Sequence, residues 1–105
     1  MSIEGLEAKV IEWAYDRGIL AGSTDRTRWD KLMEELCELR EEWTEDSPDI
    51  EKIKMEAGDV LVTLINFLHP YNLDLETCLS AAYLKIKDRT GKMENGTFVK
   101  SEDLP

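Results

Sequence analysis

The stretch Ala57-Gly58-Asp59-Val60-Leu61-Val62-Thr63-Leu64-Ile65-Asn66-Phe67-Leu68 is apolar nearly all round, the pattern of a helix buried on most of its sides. Asp59 interrupts it. At about 100° per residue, Asp59, Thr63 and Asn66 fall within roughly 60° of one another, and Glu56 extends the row by one turn. A polar strip is therefore expected inside a core helix. An ionised carboxylate withdrawn from water costs several kcal/mol unless a proton, a Lys or Arg, or a metal ion neutralises it.

Working outward, Ser47 and Pro48 stand as cap and first residue of this helix, and His69-Pro70 ends it. Before it, Ser2 caps a helix over 3–17, in which Ile3, Leu6, Val10, Trp13 and Ala14 recur at helical spacing and Gly18 supplies the stop. A loop at Gly22-Ser23-Thr24-Asp25 leads to a helix over 26–44 with a stripe of Leu32, Leu36, Leu39 and Trp43, the last read as core. After it, Asp74 caps a fourth helix that Gly91 ends, with Leu73 and Cys78 placed as a hydrophobic staple. Asn95-Gly96, between Met93 and Thr97-Phe98-Val99, signals a small hairpin or bent strand. The expected fold is all-α: a four-helix bundle in one domain spanning 1–105, with a short C-terminal hairpin or extended tail.

Composition narrows the function. The chain has 105 residues, with 13 Lys and Arg against 23 Asp and Glu and a formal net charge of −10. Such a surface repels phosphate backbones, so no nucleic-acid partner is expected, although a nucleotide bridged by divalent ions is compatible. No apolar run approaches the roughly 18 to 20 residues that cross a bilayer, and the first residues lack a basic segment followed by an apolar one. No membrane partner and a cytoplasmic location are the expectation. A chain this short buries a modest core, so a homodimer or homotetramer is expected. Cys37 and Cys78 form no Cys-x-x-Cys pattern and read as free, buried thiols rather than a zinc site.

Glu35 and Glu38 form a row bordering the leucine stripe of the second helix, with Lys31 and Glu42 nearby. Packing that stripe against the third helix brings four carboxylates, Glu35, Glu38, Glu56 and Asp59, towards one another. Like charges a few ångströms apart stay ionised only with cations among them, and an all-oxygen ligand set favours Mg²⁺, Mn²⁺ or Ca²⁺ over zinc. No segment offers the alternating Asp/Asn loop of an EF-hand.

These residues carry a resemblance. Glu35-Leu36-Cys37-Glu38, a 17-residue spacer and Glu56-Ala57-Gly58-Asp59 resemble the signature of the MazG-like branch of the all-α nucleoside triphosphate pyrophosphohydrolases. The similarity extends through Ile11-Glu12-Trp13-Ala14 and Arg17-Gly18-Ile19-Leu20, through Lys31-Leu32-Met33-Glu34, and through Cys78 to Lys87. It continues in Arg89-Thr90-Gly91-Lys92 and Asn95-Gly96-Thr97-Phe98-Val99-Lys100. The resemblance implies cleavage of an NTP or dNTP between its α and β phosphates, giving monophosphate and pyrophosphate. It also implies Mg²⁺, with Mn²⁺ as a substitute, held by Glu35, Glu38, Glu56 and Asp59 as the catalytic acids. Two rival readings accompany it: hydrolysis of phosphoribosyl-ATP, and a non-catalytic metal-binding helical module that regulates a partner.

A substrate-binding set completes the reading. Between Tyr83 and Lys100 the charges are Lys85, Lys87, Arg89, Lys92 and Lys100 against Asp88 and Glu94. Lys85 and Arg89, four apart on one helix face, suit phosphate oxygens left free by the metal, and the resemblance places phosphate contacts there. Lys31 joins them, one turn before Glu35. Asn66 in the strip suits base or sugar, and Trp13 and Trp29 offer rings for stacking.

Overall fold

A computed structural model describes residues 1–105. In chain order the elements are α1 (Ile3–Asp16), α2 (Asp25–Glu42), α3 (Ile50–Leu68), a 3₁₀ turn (His69–Tyr71), α4 (Leu75–Ile86), β1 (Gly91–Glu94), β2 (Thr97–Lys100) and a final 3₁₀ turn (Ser101–Asp103). The protein is mostly helical with one two-stranded hairpin. No helix is long and apolar enough to cross a membrane. Two compact units divide the chain, Met1–Leu75 and Glu76–Pro105.

The first unit is built on local caps. Ser2 Oγ accepts from the Gly5 N–H at 3.0 Å, and Thr24 and Thr27 close a reciprocal capping box at 3.1 and 2.8 Å. α3 starts two residues later than Ser47-Pro48 promised: Asp49 is its cap, and its carboxylate accepts from the Lys52 N–H at 3.2 Å. An ionised acceptor complements the helix dipole, which a hydroxyl does not, and that physical advantage moves the start. α2 pairs most extensively with α3, and α1 also packs on α3. The α2 and α3 helices run antiparallel: Trp29 leans on Phe67 with centroids 5.5 Å apart, while Glu38 faces Glu56 nearer the loop that joins them. Glu7, only 6% exposed, accepts the Leu75 N–H on both carboxylate oxygens at 3.2 Å and so ties α1 to the last residue of the unit.

The hydrophobic core is thin. Ala14, Leu32 and Ile65 are the buried apolar residues. The expectation that α3 is covered on most sides is corrected: Ile50, Met55 and Leu61 stay exposed, because one chain supplies only α1 and α2 to cover it. Trp43 is likewise not core. It is the extended C-cap residue of α2 and half exposed, since the helix stops at Glu42 and the stripe's helical spacing ends with it. Cys37 and Cys78 are free, but Cys37 is exposed and Cys78 half-buried rather than buried.

In the second unit α4 ends at Ile86, well before Gly91, which opens β1 instead. Asn95 and Gly96, both at positive φ (51° and 82°), make the two-residue turn that the sequence signalled. The strands pair Gly91 with Lys100 and Glu94 with Thr97. A side chain at Gly91 would run into the Val99 carbonyl and the Phe98 ring, so β1 needs glycine where it begins. Thr90 and Ser101 brace the base of the hairpin, hydroxyl to hydroxyl at 2.8 Å and Ser101 N–H to Thr90 carbonyl at 2.9 Å.

Candidate functional site

Residues 28, 32 and 35 recur at helical spacing along the inner face of α2, and all three are buried or nearly so: the Arg28 side chain is 9% exposed, Leu32 6% and Glu35 7%. A charged residue at each end of that row, with leucine between, sets the character of the site. Across from it, α3 contributes Glu56 and Asn66, the latter 7% exposed. Two features result: an acidic cluster towards the α2–α3 loop and a small cavity towards the other end.

In the cluster, one carboxylate oxygen each from Glu35, Glu38 and Glu56 lies within 4.8 Å of the others. Lys31 is the cation nearest them, with its ammonium 3.3 Å from Glu35 and 3.2 Å from Glu34. These hydrogen bonds, Glu34 first and then Glu35, hold the Lys31 pKa above its usual value. The Glu38 carboxyl is pushed up by its hydrogen bond to Glu35 and then by the charge of Glu35, with smaller contributions from burial and from Glu56 and Glu34. Glu56 is also pushed up, by burial first and then by the charges of Asp59, Glu35 and Glu42. Both shifts arise from crowding of carboxylates in a partly desolvated place.

The donor set fits a divalent cation. Glu35 Oε2 and Glu56 Oε2 are buried and have no hydrogen-bond partner, an arrangement that costs free energy unless something accepts their charge. Oxygens on opposite sides of Mg²⁺ stand about 4.2 Å apart and around Ca²⁺ about 5 Å, so a cluster of this span closes on such an ion with small adjustments. Carboxylates alone, without His or Cys, suit hard cations. Asp59 departs from expectation here. It lies exposed at the edge of the cluster, near enough to raise Glu56 but outside the group of three.

Beside the cluster is a cavity of about 210 Å³ lined by Ile19, Ser23, Thr27, Arg28, Lys31, Thr63 and Asn66. Lys31 belongs to both places. Arg28 is clamped in it: one terminal nitrogen donates to Ser23 Oγ at 2.8 Å and the other to Asp25 at 2.6 Å. Asp25 is itself held below the usual carboxylate range, by a hydrogen bond from Tyr71 and then by Arg28. Thr63 turns its hydroxyl back to the Val60 and Asp59 carbonyls at 2.9 and 3.1 Å, so it presents its methyl group rather than a donor.

The other expected residues fall elsewhere. Lys85 and Arg89 belong to the second unit, where both line a cavity of about 410 Å³ with Asp88, Thr90, Lys100, Ser101 and Glu102. They meet there although Arg89 lies beyond the last turn of α4, so a shared helix face is not what brings them together. Trp13, 44% exposed on α1, does not line the Arg28–Asn66 cavity. Trp29 is 45% exposed and packs on Phe67. Arg28, Ser23 and Glu7 were not singled out by the sequence. The available signal for Arg28 was its place four and seven residues before Leu32 and Glu35, which puts a cation on the buried row.

The chain matches no known protein family, no curated protein and no solved structure.

Proposed function

We propose that the protein is a Mg²⁺-dependent nucleoside triphosphate pyrophosphohydrolase, converting an NTP or dNTP to its monophosphate and pyrophosphate. The observation that carries this reading is the trio Glu35, Glu38 and Glu56, two of whose oxygens are buried without a partner. Glu35, Glu38 and Glu56 would hold the cation, with Asp59 at their edge. Bound there, a divalent ion would bridge an anionic protein to an anionic substrate and stabilise charge developing on the phosphoryl oxygens. The chain's own part is to position the α-phosphorus beside these carboxylates and to take a proton from the attacking water on one of them. Water's oxygen bonds to the α-phosphorus, the bond to the bridging oxygen breaks, and pyrophosphate leaves.

The resemblance of Glu35 to Glu38 and Glu56 to Asp59 to the MazG-like acid pattern supports the same chemistry. Lys85 and Arg89 are proposed as phosphate contacts, Lys31 and Asn66 as further substrate contacts, and Trp13 as a stacking residue. The active form is proposed to be a homodimer or homotetramer in the cytoplasm, organised as a helical bundle. What supports assembly is the uncovered apolar surface, above all Leu79, Tyr83 and Ile86, which form one stripe on α4 and are 72%, 59% and 48% exposed.

The test is product analysis on eight NTPs and dNTPs with Mg²⁺, beside Asp59→Asn and Glu38→Gln proteins. Wild type should release monophosphate plus pyrophosphate, with kcat/KM lowered about 100-fold or more in each variant. Diphosphate plus phosphate would exclude attack at the α-phosphorus. Turnover of phosphoribosyl-ATP alone would move the assignment to that rival, and no turnover with intact Mg²⁺ binding would leave the non-catalytic module.

A further inference from the structure

The two oxygens of Glu35 have different neighbours. Oε1 lies 3.3 Å from the Lys31 ammonium, whereas Oε2 is buried with no hydrogen-bond partner. The Glu35 side chain is only 10% exposed, so little of it reaches water. Lys31 is held from a second side as well, because its ammonium donates to Glu34 Oε2 at 3.2 Å. Glu34 and Glu35 follow Lys31 by three and four residues on α2, so the helix itself brings the three side chains together. Glu34 lies outside the trio of Glu35, Glu38 and Glu56 and serves as the outer anchor of the ammonium.

That contact decides how a cation can use Glu35. Mg²⁺ takes six oxygens in an octahedron at about 2.1 Å, with adjacent ligands about 2.9 Å apart. The two oxygens of one carboxylate stand closer together than that, so Mg²⁺ takes a carboxylate through one oxygen and completes its shell with water. Ca²⁺ is larger, takes about six to eight oxygens at roughly 2.3–2.6 Å, and readily gathers them by chelating a carboxylate through both. An ammonium on Oε1 leaves the first mode open. It opposes the second, in which one oxygen would have to serve Lys31 and a doubly charged ion together.

We propose that Lys31 sets the ion selectivity of the cluster: by occupying one oxygen of Glu35 it confines that carboxylate to single-oxygen coordination and so disfavours Ca²⁺ relative to Mg²⁺. The inference rests on the reading of Glu35, Glu38 and Glu56 as a divalent-cation site, and on no step of the hydrolysis. Its signature differs from that of charge alone. Mg²⁺ and Ca²⁺ carry the same charge, so the positive charge of Lys31 weakens both alike, and only the number of oxygens each draws from Glu35 separates them. The ratio of the two affinities therefore reports the coordination mode, with the repulsion cancelled.

The experiment is calorimetric titration of wild type, Lys31→Met and Lys31→Arg proteins with Mg²⁺ and with Ca²⁺, without nucleotide. In Lys31→Met both ions should bind more tightly, and Ca²⁺ should gain about fivefold or more beyond the gain of Mg²⁺. Lys31→Arg keeps a cationic donor for Glu35 and should hold the wild-type ratio within about twofold. Equal gains for the two ions in Lys31→Met, or a Lys31→Arg protein that matches Lys31→Met, overturn the proposal. A crystal structure of wild type at saturating Ca²⁺ decides the matter if Lys31→Met does not fold. Glu35 on the ion through one oxygen, with Lys31 on the other, sustains the proposal, and Glu35 chelating through both oxygens removes it. If wild type binds neither ion, the cation reading itself has failed and the selectivity falls with it, an outcome distinct from binding with an unmoved ratio.

Discussion

Glu38 and Glu56 face each other across α2 and α3 and hold their protons more tightly than an ordinary glutamate, Glu38 through its hydrogen bond to Glu35 and Glu56 through burial. The consequence for stability has a definite sign. With folded-state pKa values above the ordinary 4.5, these groups keep protons in the native state over a range where the unfolded chain has lost them, so stability falls as pH rises through the raised values. A divalent cation replaces those protons. The metal-free protein should therefore lose melting temperature between about pH 5 and pH 8, saturating Mg²⁺ should restore most of that loss, and Mg²⁺ affinity should be weaker at the acidic end. Thermal melts with and without Mg²⁺ at both pH values check this. Identical curves in all four conditions would remove the cation from the cluster.

At the same scale, helical spacing in the sequence placed Glu35, Glu38 and Glu56 on facing surfaces, because angle around a helix follows directly from residue number. Exposure does not follow from angle. Asp59 shares the direction of Asn66 yet lies exposed while Asn66 is buried, since what covers a residue depends on where the neighbouring helix and loops run. Arg28 was hidden for the complementary reason: a cation on an apolar row reads as surface until Ser23 and Asp25 are seen to hold it.

Among the elements, boundaries set by a single strong local signal were legible and those decided by competition were not. Ser2 and the Asn95-Gly96 turn are of the first kind. At the start of α3, Ser47 and Asp49 compete to cap and the carboxylate prevails; after α4 the chain turns through residues 87–90, and Gly91 opens β1 rather than closing the helix. Glu7 was unreadable because its partner, the Leu75 N–H, is 68 residues away. Glu7→Ala should strip that donor of its acceptor and cost about 1–3 kcal/mol. Glu7→Gln keeps one side-chain acceptor oxygen and should cost less. Urea midpoints rank the three proteins, and an alanine variant as stable as wild type would show that water serves the Leu75 N–H equally well.

Over the whole molecule, the apolar surface left open on α3 and α4 agrees with the modest core that the chain's length implies, whereas the apolar pattern of α3 alone suggested a helix covered on most sides. The pattern counts apolar residues and cannot tell whether the same chain or another copy covers them. Leu79→Asp places a charge in the α4 stripe and should shift the protein towards monomer in sedimentation equilibrium, with α-helical content retained, whereas a wild type that sediments as a monomer at all concentrations would refute assembly. The long-range bond from Glu7 to Leu75 bears on how the first unit comes into being. Synthesis must pass Leu75 before Glu7 meets its partner, so on the ribosome the Glu7 carboxylate waits without that partner until the start of α4 has emerged. The entropy of closing a loop of that length is offset only when α2 and α3 have already docked, which makes this link a latch on a formed unit rather than a seed for it.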